Sequence, residues 1–194
     1  DPYDVVIVGD DAALQFAMEY REELFPEIPV VFEGVNDEEY AMKAAENPLV
    51  TGIIEKLSVE KNIDMALKVN PTADKVVAIL DDSVTADAER KNFYNSAENY
   101  PELEFSEINA AELETARLQQ AISKVDDKTI LIYIVMSKDG SGKQYTSDQA
   151  VRMVVNYSKV PVYRMVEAGI GDGLLGGNVV SMYKSGEIAA QMAM

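Results

Sequence analysis

The sequence predicts an α/β fold in which two lobes are built from βαβ units around parallel sheets. Three observations carry the prediction. Apolar, β-branched runs alternate with helical patterns along the whole chain. The apolar runs are short and regularly spaced, as strands of a crossover topology are. A change of lobe is marked near residues 55–58, where a third strand ends and a new series of βα units begins without any Pro/Ser-rich tether.

The strands are expected at residues 4–8, 29–32, 50–54, 75–80, 103–108, 129–135 and 160–165, with a further extended piece at 178–182. Helices are expected at 12–24, 37–46, 59–69, 85–99, 111–124, 147–158 and 185–194. Asp11, Asp37, Ser58 and Ser147 stand where a helix start needs a side-chain acceptor for its free N–H groups. Thr85, followed by Asp87 and Glu89, puts negative charge on a first turn, where the helix dipole favours it.

Composition removes most chemistries. Of 194 residues, 47% are apolar, ample for a packed core. The 34 Asp and Glu against 17 Lys and Arg give a formal charge of −17, which repels nucleic acid and anionic membranes. There is neither Cys nor His, so thiolate nucleophiles, disulfides, serine–histidine triads and the common zinc sites are all excluded. Carboxylates, Lys, Tyr, Ser and Thr remain as possible catalysts. The longest apolar run, near 130–136, falls far short of the roughly 20 residues of a membrane span. The chain opens Asp1-Pro2 with no signal peptide in view and reads as an excised fragment.

Two glycine-containing motifs fail on inspection. Ser137-Lys-Asp-Gly-Ser-Gly-Lys-Gln144 follows a strand and precedes a helix, but Ser137 stands where a phosphate loop needs its first Gly and Gln144 where it needs Ser or Thr. It reads as a solvated turn. The tract from Gly169 to Gly177 contains a GxGxG, but near the C-terminus rather than in the first βαβ unit, and reads as a flexible crossing with φ > 0 positions.

Ligands of open α/β sheets gather at the carboxyl ends of strands. That rule selects Gly9, Asp10 and Asp11 after the first strand, where Asp10 and Asp11 serve either as ligand acceptors or as helix caps. It selects Glu33 and Asn36 after the second, Glu55 after the third, and Asp81, Asp82 and Ser83, leading to Thr85, after the fourth. Asn109, Ser137, Asp139 and Glu167 complete the set. Singly, each reads as a solvated loop residue; together they form a rim for two facing sheets. No dense D-x-D or E-x-x-E cluster points to glycoside hydrolysis or a metal, although the Asp10-Asp11 and Asp81-Asp82 pairs leave a metal alternative open.

Phe25-Pro-Glu-Ile-Pro-Val-Val-Phe-Glu-Gly-Val-Asn36, preceded by Gly9-Asp-Asp-Ala12, resembles the ABC-transporter substrate-binding-like family with the type I periplasmic-binding fold. Val50-Thr-Gly-Ile-Ile-Glu55, Asn70-Pro71, the strand at 75–82, Val160-Pro-Val-Tyr163, Leu175-Gly-Gly177 and Gly186-Glu-Ile-Ala-Ala190 follow in the family's order. The resemblance implies two Rossmann-like lobes, here 1–56 and 57–167, with 168–194 returning to the first. Family members begin with two further βα units, so the first lobe is expected to be incomplete.

The resemblance also implies a non-enzymatic, cofactor-free solute-binding domain at the extracellular face of the membrane or in the periplasm. Its partners would be a small molecule and either the membrane-bound output module of a histidine kinase or diguanylate cyclase, or an ABC permease. Tyr20-Arg-Glu-Glu-Leu-Phe-Pro26 looks more like the sensing branch. A hydrolase using carboxylates alone is the remote alternative. Among rim residues, Asp10, Glu33, Glu55, Asp82, Asp139 and Glu167 outnumber Lys138 and Arg164, which favours an amino-acid-like or sugar-like ligand rich in donors. A zwitterion would in addition place its carboxylate at a helix start.

Overall fold

The computed structural model describes residues 3–194. In chain order its regular elements are β1 (Val6–Gly9), α1 (Asp11–Glu19), α2 (Arg21–Leu24), β2 (Val30–Val35), α3 (Glu38–Ala44), β3 (Val50–Ile54), α4 (Val59–Val69), β4 (Lys75–Leu80), α5 (Val84–Ser96), β5 (Glu104–Asn109), α6 (Thr115–Ser123), β6 (Thr129–Tyr133), α7 (Ser147–Tyr157), β7 (Val162–Arg164) and α8 (Met182–Met192). Short 3-10 turns, Ala97–Asn99 and Ala110–Glu112, follow α5 and β5. The strands form two separate parallel sheets, β1-β2-β3 and β5-β4-β6-β7. The chain divides into two compact units: the described residues up to Lys56 together with Ser181–Met194, and Leu57–Val180.

In the first unit, strand alternation decides which helix covers which face. Val30, Phe32 and Val50 pack with Leu14 of α1 and Ala41 of α3 on one side. Val31 and Glu33 point to the opposite side, where α8 lies against β2 and β3 and where Ser185 donates its hydroxyl to Glu33 Oε2 at 2.8 Å. Strand order follows sequence order, so among the described residues this sheet has no point at which the winding reverses.

The second unit is covered on both faces, which is why β6, Thr129-Ile-Leu-Ile-Tyr133, is buried at every position. Val76, Ala78, Leu80, Ile130 and Ile132 join α4 and α5 through Ile63, Ala66, Ala86 and Phe93. The intervening Ile79, Leu131 and Tyr133 join α6 and α7 through Leu118, Ile122, Ala150 and Val154. Each such fully buried Val, Leu, Ile or Phe side chain contributes about 1.5–3 kcal/mol. β5, which alternates polar residues, takes an edge as its composition requires.

Several expected boundaries shift for identifiable reasons. The helix expected over 12–24 breaks into α1 and α2 at Tyr20. The strand expected to reach 135 leaves the ladder at Tyr133, because Arg164 on the short neighbour β7 turns its guanidinium onto the Tyr133 and Ile134 carbonyls. The helix expected from 111 opens as a 3-10 turn, and Leu113 is extended before α6 begins. Residues 168–180, expected to return to the first lobe, belong to the second unit. There Leu175 and Val180 bridge to Tyr163 and Val166, Asn62 donates to the Asn178 carbonyl at 2.9 Å, and the return comes only at Ser181.

Candidate functional site

The second sheet reverses its winding around β4: the chain goes first to β5 on one side, then crosses to β6 on the other. The carboxyl ends of strands at such a reversal splay the following loops apart and leave a crevice. A cavity of about 500 Å³ opens there, lined by Asp81, Asp82 and Ser83 after β4, Ala111 after β5, and Ser137, Lys138, Gln144 and Tyr145 after β6.

Asp81 fastens the two sides of the reversal together. It is 2% exposed. One oxygen accepts the Ser83 N–H at 3.0 Å; the other accepts the Ser137 N–H at 2.7 Å and the Ser137 hydroxyl at 2.6 Å. Burial raises its pKa, but the bonds from Ser137 and Ser83 together outweigh burial and hold the carboxyl below its ordinary value.

Asp139 does the same for the loop after β6. At 1% exposure it accepts from the Ser141 N–H (2.9 Å), the Ser141 hydroxyl (2.6 Å), the Lys143 N–H (3.1 Å), the Tyr145 hydroxyl (2.7 Å) and the Thr115 hydroxyl. Burial opposes ionisation here too, and the hydrogen bonds again prevail, so the carboxyl is held well below the usual range. Gly140 donates to the Ala110 and Leu113 carbonyls at 3.0 and 2.9 Å, so close that a Cβ would lie 2.8 Å from the Leu113 nitrogen. Gly142 turns the chain back at φ +83°, a conformation glycine adopts without strain. The segment read as a solvated turn is therefore a fixed loop wrapped around a buried anion, and it supplies three of the residues lining the cavity, Ser137, Lys138 and Gln144.

Asp82 is the carboxylate the cavity leaves accessible, its side chain 57% exposed. Asn109 Nδ2 donates to it at 2.8 Å and Arg90 Nη2 at 3.3 Å, while Arg90 also holds Glu107 and Asp87. Ser83 caps α5 by accepting the Ala86 N–H at 3.3 Å, so the first turn of a 13-residue helix starts at the cavity wall. Thr85 lies within that turn but does not line the cavity. Tyr145 presents its ring, its hydroxyl being committed to Asp139. Burial, opposed by Thr115 and reinforced by the charge of Asp139, raises the Tyr145 pKa and keeps that hydroxyl protonated.

The structure thus gathers Asp82, Ser83 and Ser137 of the expected rim into one cavity, with Asp139 behind it. Glu167 is exposed elsewhere in the second unit, and Arg164 is spent on the carbonyls that end β6. The remaining rim residues lie in the first unit. Asp10, at φ 77°, caps α1 by accepting the Asp11 N–H at 2.7 Å. Asp11, expected as the cap, is buried and accepts the Asn36 and Asp37 N–H groups at 3.0 and 2.9 Å. Asn36 donates to the Glu55 carbonyl at 3.2 Å, and the Glu55 N–H donates to Val35 at 2.7 Å. Of the other starts, Asp37 caps α3, Ser58 makes no capping bond, and Thr146 with Gln149, rather than Ser147, forms the capping box of α7.

Gln144, Tyr145 and Ala111 were missed as lining residues. The available signal was Asp139-Gly-Ser-Gly142, an acceptor followed by turn residues able to donate back to it, as in an Asx turn. Among the described residues, no group of three or more His, Cys, Asp or Glu is placed to hold a metal ion, and no helix is long and apolar enough to cross a membrane.

Comparisons with known proteins agree with this architecture. The chain is similar to a solved ABC domain from Streptococcus pneumonia in complex with L-Trp, with a TM-score of 0.67 at 16% identity. The match covers 100% of this chain and 66% of that one, so the chain spans just under two thirds of its length. A search of curated proteins gives no match. Residues 2–194 match the family described as ABC transporter substrate binding protein, and the chain belongs to that family.

Proposed function

We propose that the chain is the ligand-recognition domain of an extracellular or periplasmic solute receptor, and that it holds a zwitterionic, amino-acid-like molecule without turning it over. The observation that carries the proposal is the cavity at the winding reversal, where an accessible carboxylate, an ammonium group and a helix start share one wall system: Asp82, Lys138 and Ser83 at the head of α5. Of the six carboxylates weighed as rim residues, only Asp82 lines this cavity, beside the hydrogen-bonded Asp81, so the expected excess of acceptors narrows to one accessible anionic position matched by one cationic one. A ligand ammonium pairs with Asp82. Its carboxylate is received by Lys138, beside the positive end of the α5 dipole. The L-Trp held by the structural neighbour supports an amino-acid ligand and suits the Tyr145 ring as an apolar wall.

Binding without turnover is the reading that the carboxylates favour. Asp81 and Asp139 are kept ionised by saturated hydrogen bonding and are poor general acids. Two couplings fit this reading equally, signalling to a kinase or cyclase output module and delivery to an ABC permease, the second in keeping with the family's description as an ABC transporter substrate binding protein.

A thermal-shift screen at low salt tests the ligand class, using the twenty amino acids, putrescine, glucose, glucose 6-phosphate and succinate. Stabilisation by one or more amino acids is expected. Stabilisation by glucose 6-phosphate or succinate, with none by amino acids, would overturn the reading.

A further inference from the structure

Beyond the ligand cavity, the exposed face of α7 carries a second concavity, of about 320 Å³. Its lining includes the buried Met153, together with Tyr157 and Tyr145, the last of which also lines the ligand cavity. Lys143 and Arg152 supply its charge, and Asn156 an amide. Arg152 and Asn156, and Met153 and Tyr157, stand four positions apart, and Met153 and Asn156 three, which places them along one side of the helix. No carboxylate lines the groove, in a chain whose formal charge is −17.

We propose that this groove docks an acidic peptide segment of a partner protein, one in which carboxylates alternate with apolar side chains. The length fits: from Gln149 to Tyr157 the helix rises about 12 Å, which an extended peptide covers in about four residues. The chemistry fits as well. Methionine adapts its shape to an apolar side chain, while Lys143, whose Nζ stands 4.7 Å from the Tyr145 ring centroid, and Arg152 meet the carboxylates on either side. Among the described residues the ion pair of Arg152 is with the Asp148 carboxylate at 3.9 Å, with side chains 69% and 83% exposed, a pair that solvent screens almost fully, and its Nε donates to the Asp148 carbonyl at 3.3 Å. The negative charge of the rest of the chain repels extended polyanions and anionic membranes, so a short peptide with localised charge is favoured over either.

The test uses the full chain labelled with 13C at its methionine methyl groups, nine in all, with the Met153 signal assigned through Met153→Leu. The probe is an acetylated hexapeptide alternating glutamate and leucine. The expected result is a saturable, salt-sensitive shift of the Met153 methyl signal, with affinity at least tenfold lower in Arg152→Glu and no binding of the matching lysine–leucine peptide. Any of four results would overturn the proposal: an unmoved Met153 signal, unchanged affinity in Arg152→Glu, equal binding of the lysine peptide, or a response confined to phosphatidylserine vesicles.

Discussion

The two units solve the same problem, ending parallel strands in polar loops, in different ways. In the first, strands run in sequence order and the polar residues at their carboxyl ends bond to one another's loops: Asp11 to the backbone of Asn36 and Asp37, Asn36 to Glu55, Glu33 to Ser185. In the second, the winding reverses at β4, and two saturated carboxylates, Asp81 and Asp139, fix the loops around a cavity while Asp82 stays accessible. Position after a strand is therefore not enough to make a ligand contact. A reversal has to open the space, and buried anions fix the loops that line it.

The largest expected difference lies between Asp139→Ala and Glu33→Ala. Removing Asp139 strands three hydroxyls and two backbone N–H groups and should cost about 3 kcal/mol in urea denaturation and abolish ligand binding. Removing Glu33 gives up one bond from Ser185 and should cost about 1 kcal/mol. Equal costs would erase the contrast between the units.

Acid should act next, and on the second unit first. Asp81 and Asp139 have folded pKa values below the ordinary 3.8, so their contribution is fully present above that value and is lost as pH falls through the folded values. Stability measured by urea titration should therefore lose the part due to these two groups only below about pH 4. Asp139→Asn should flatten that part of the curve. An unchanged acid limb would show that these carboxylates do not govern it.

Much of this was legible in the sequence, because it depends on local periodicity. The apolar runs of Val76–Leu80 and Ile130–Tyr133 place β4 and β6 inside a parallel sheet, and strand-end position picked out Asp82, Ser83 and Ser137, which line the cavity. What was not legible depends on residues far apart. The order of the loop at 137–144 rests on Thr115, 24 positions before Asp139, and the fate of Arg164 on carbonyls 30 and 31 positions earlier. Asp10 took the cap expected of Asp11 because the partners of Asp11 lie 25 and 26 positions away, across a strand. Spacing along the chain encodes none of these contacts.

A smaller effect is expected at the exposed carboxylate. Asp82→Ala should weaken binding of the stabilising amino acid about tenfold, or about 1.4 kcal/mol, with stability changed by less than about 1 kcal/mol because the side chain is largely solvated. Isothermal titration beside urea denaturation would separate the two quantities. A variant that unfolds, or one that binds normally, would move Asp82 out of the proposed site. Smallest of all, Asp37→Ala should cost about 1 kcal/mol as a lost helix cap in the first unit and leave ligand affinity within about twofold.

The central claim is that recognition is seated at the winding reversal of the second sheet, and backbone amide NMR tests it most directly. On titrating the 15N-labelled chain with the amino acid that stabilises it most, the amides of Ser83, Thr85, Ser137, Gln144 and Tyr145 should shift together and saturate at one affinity. Saturable shifts elsewhere, with those five amides unmoved, would contradict the account.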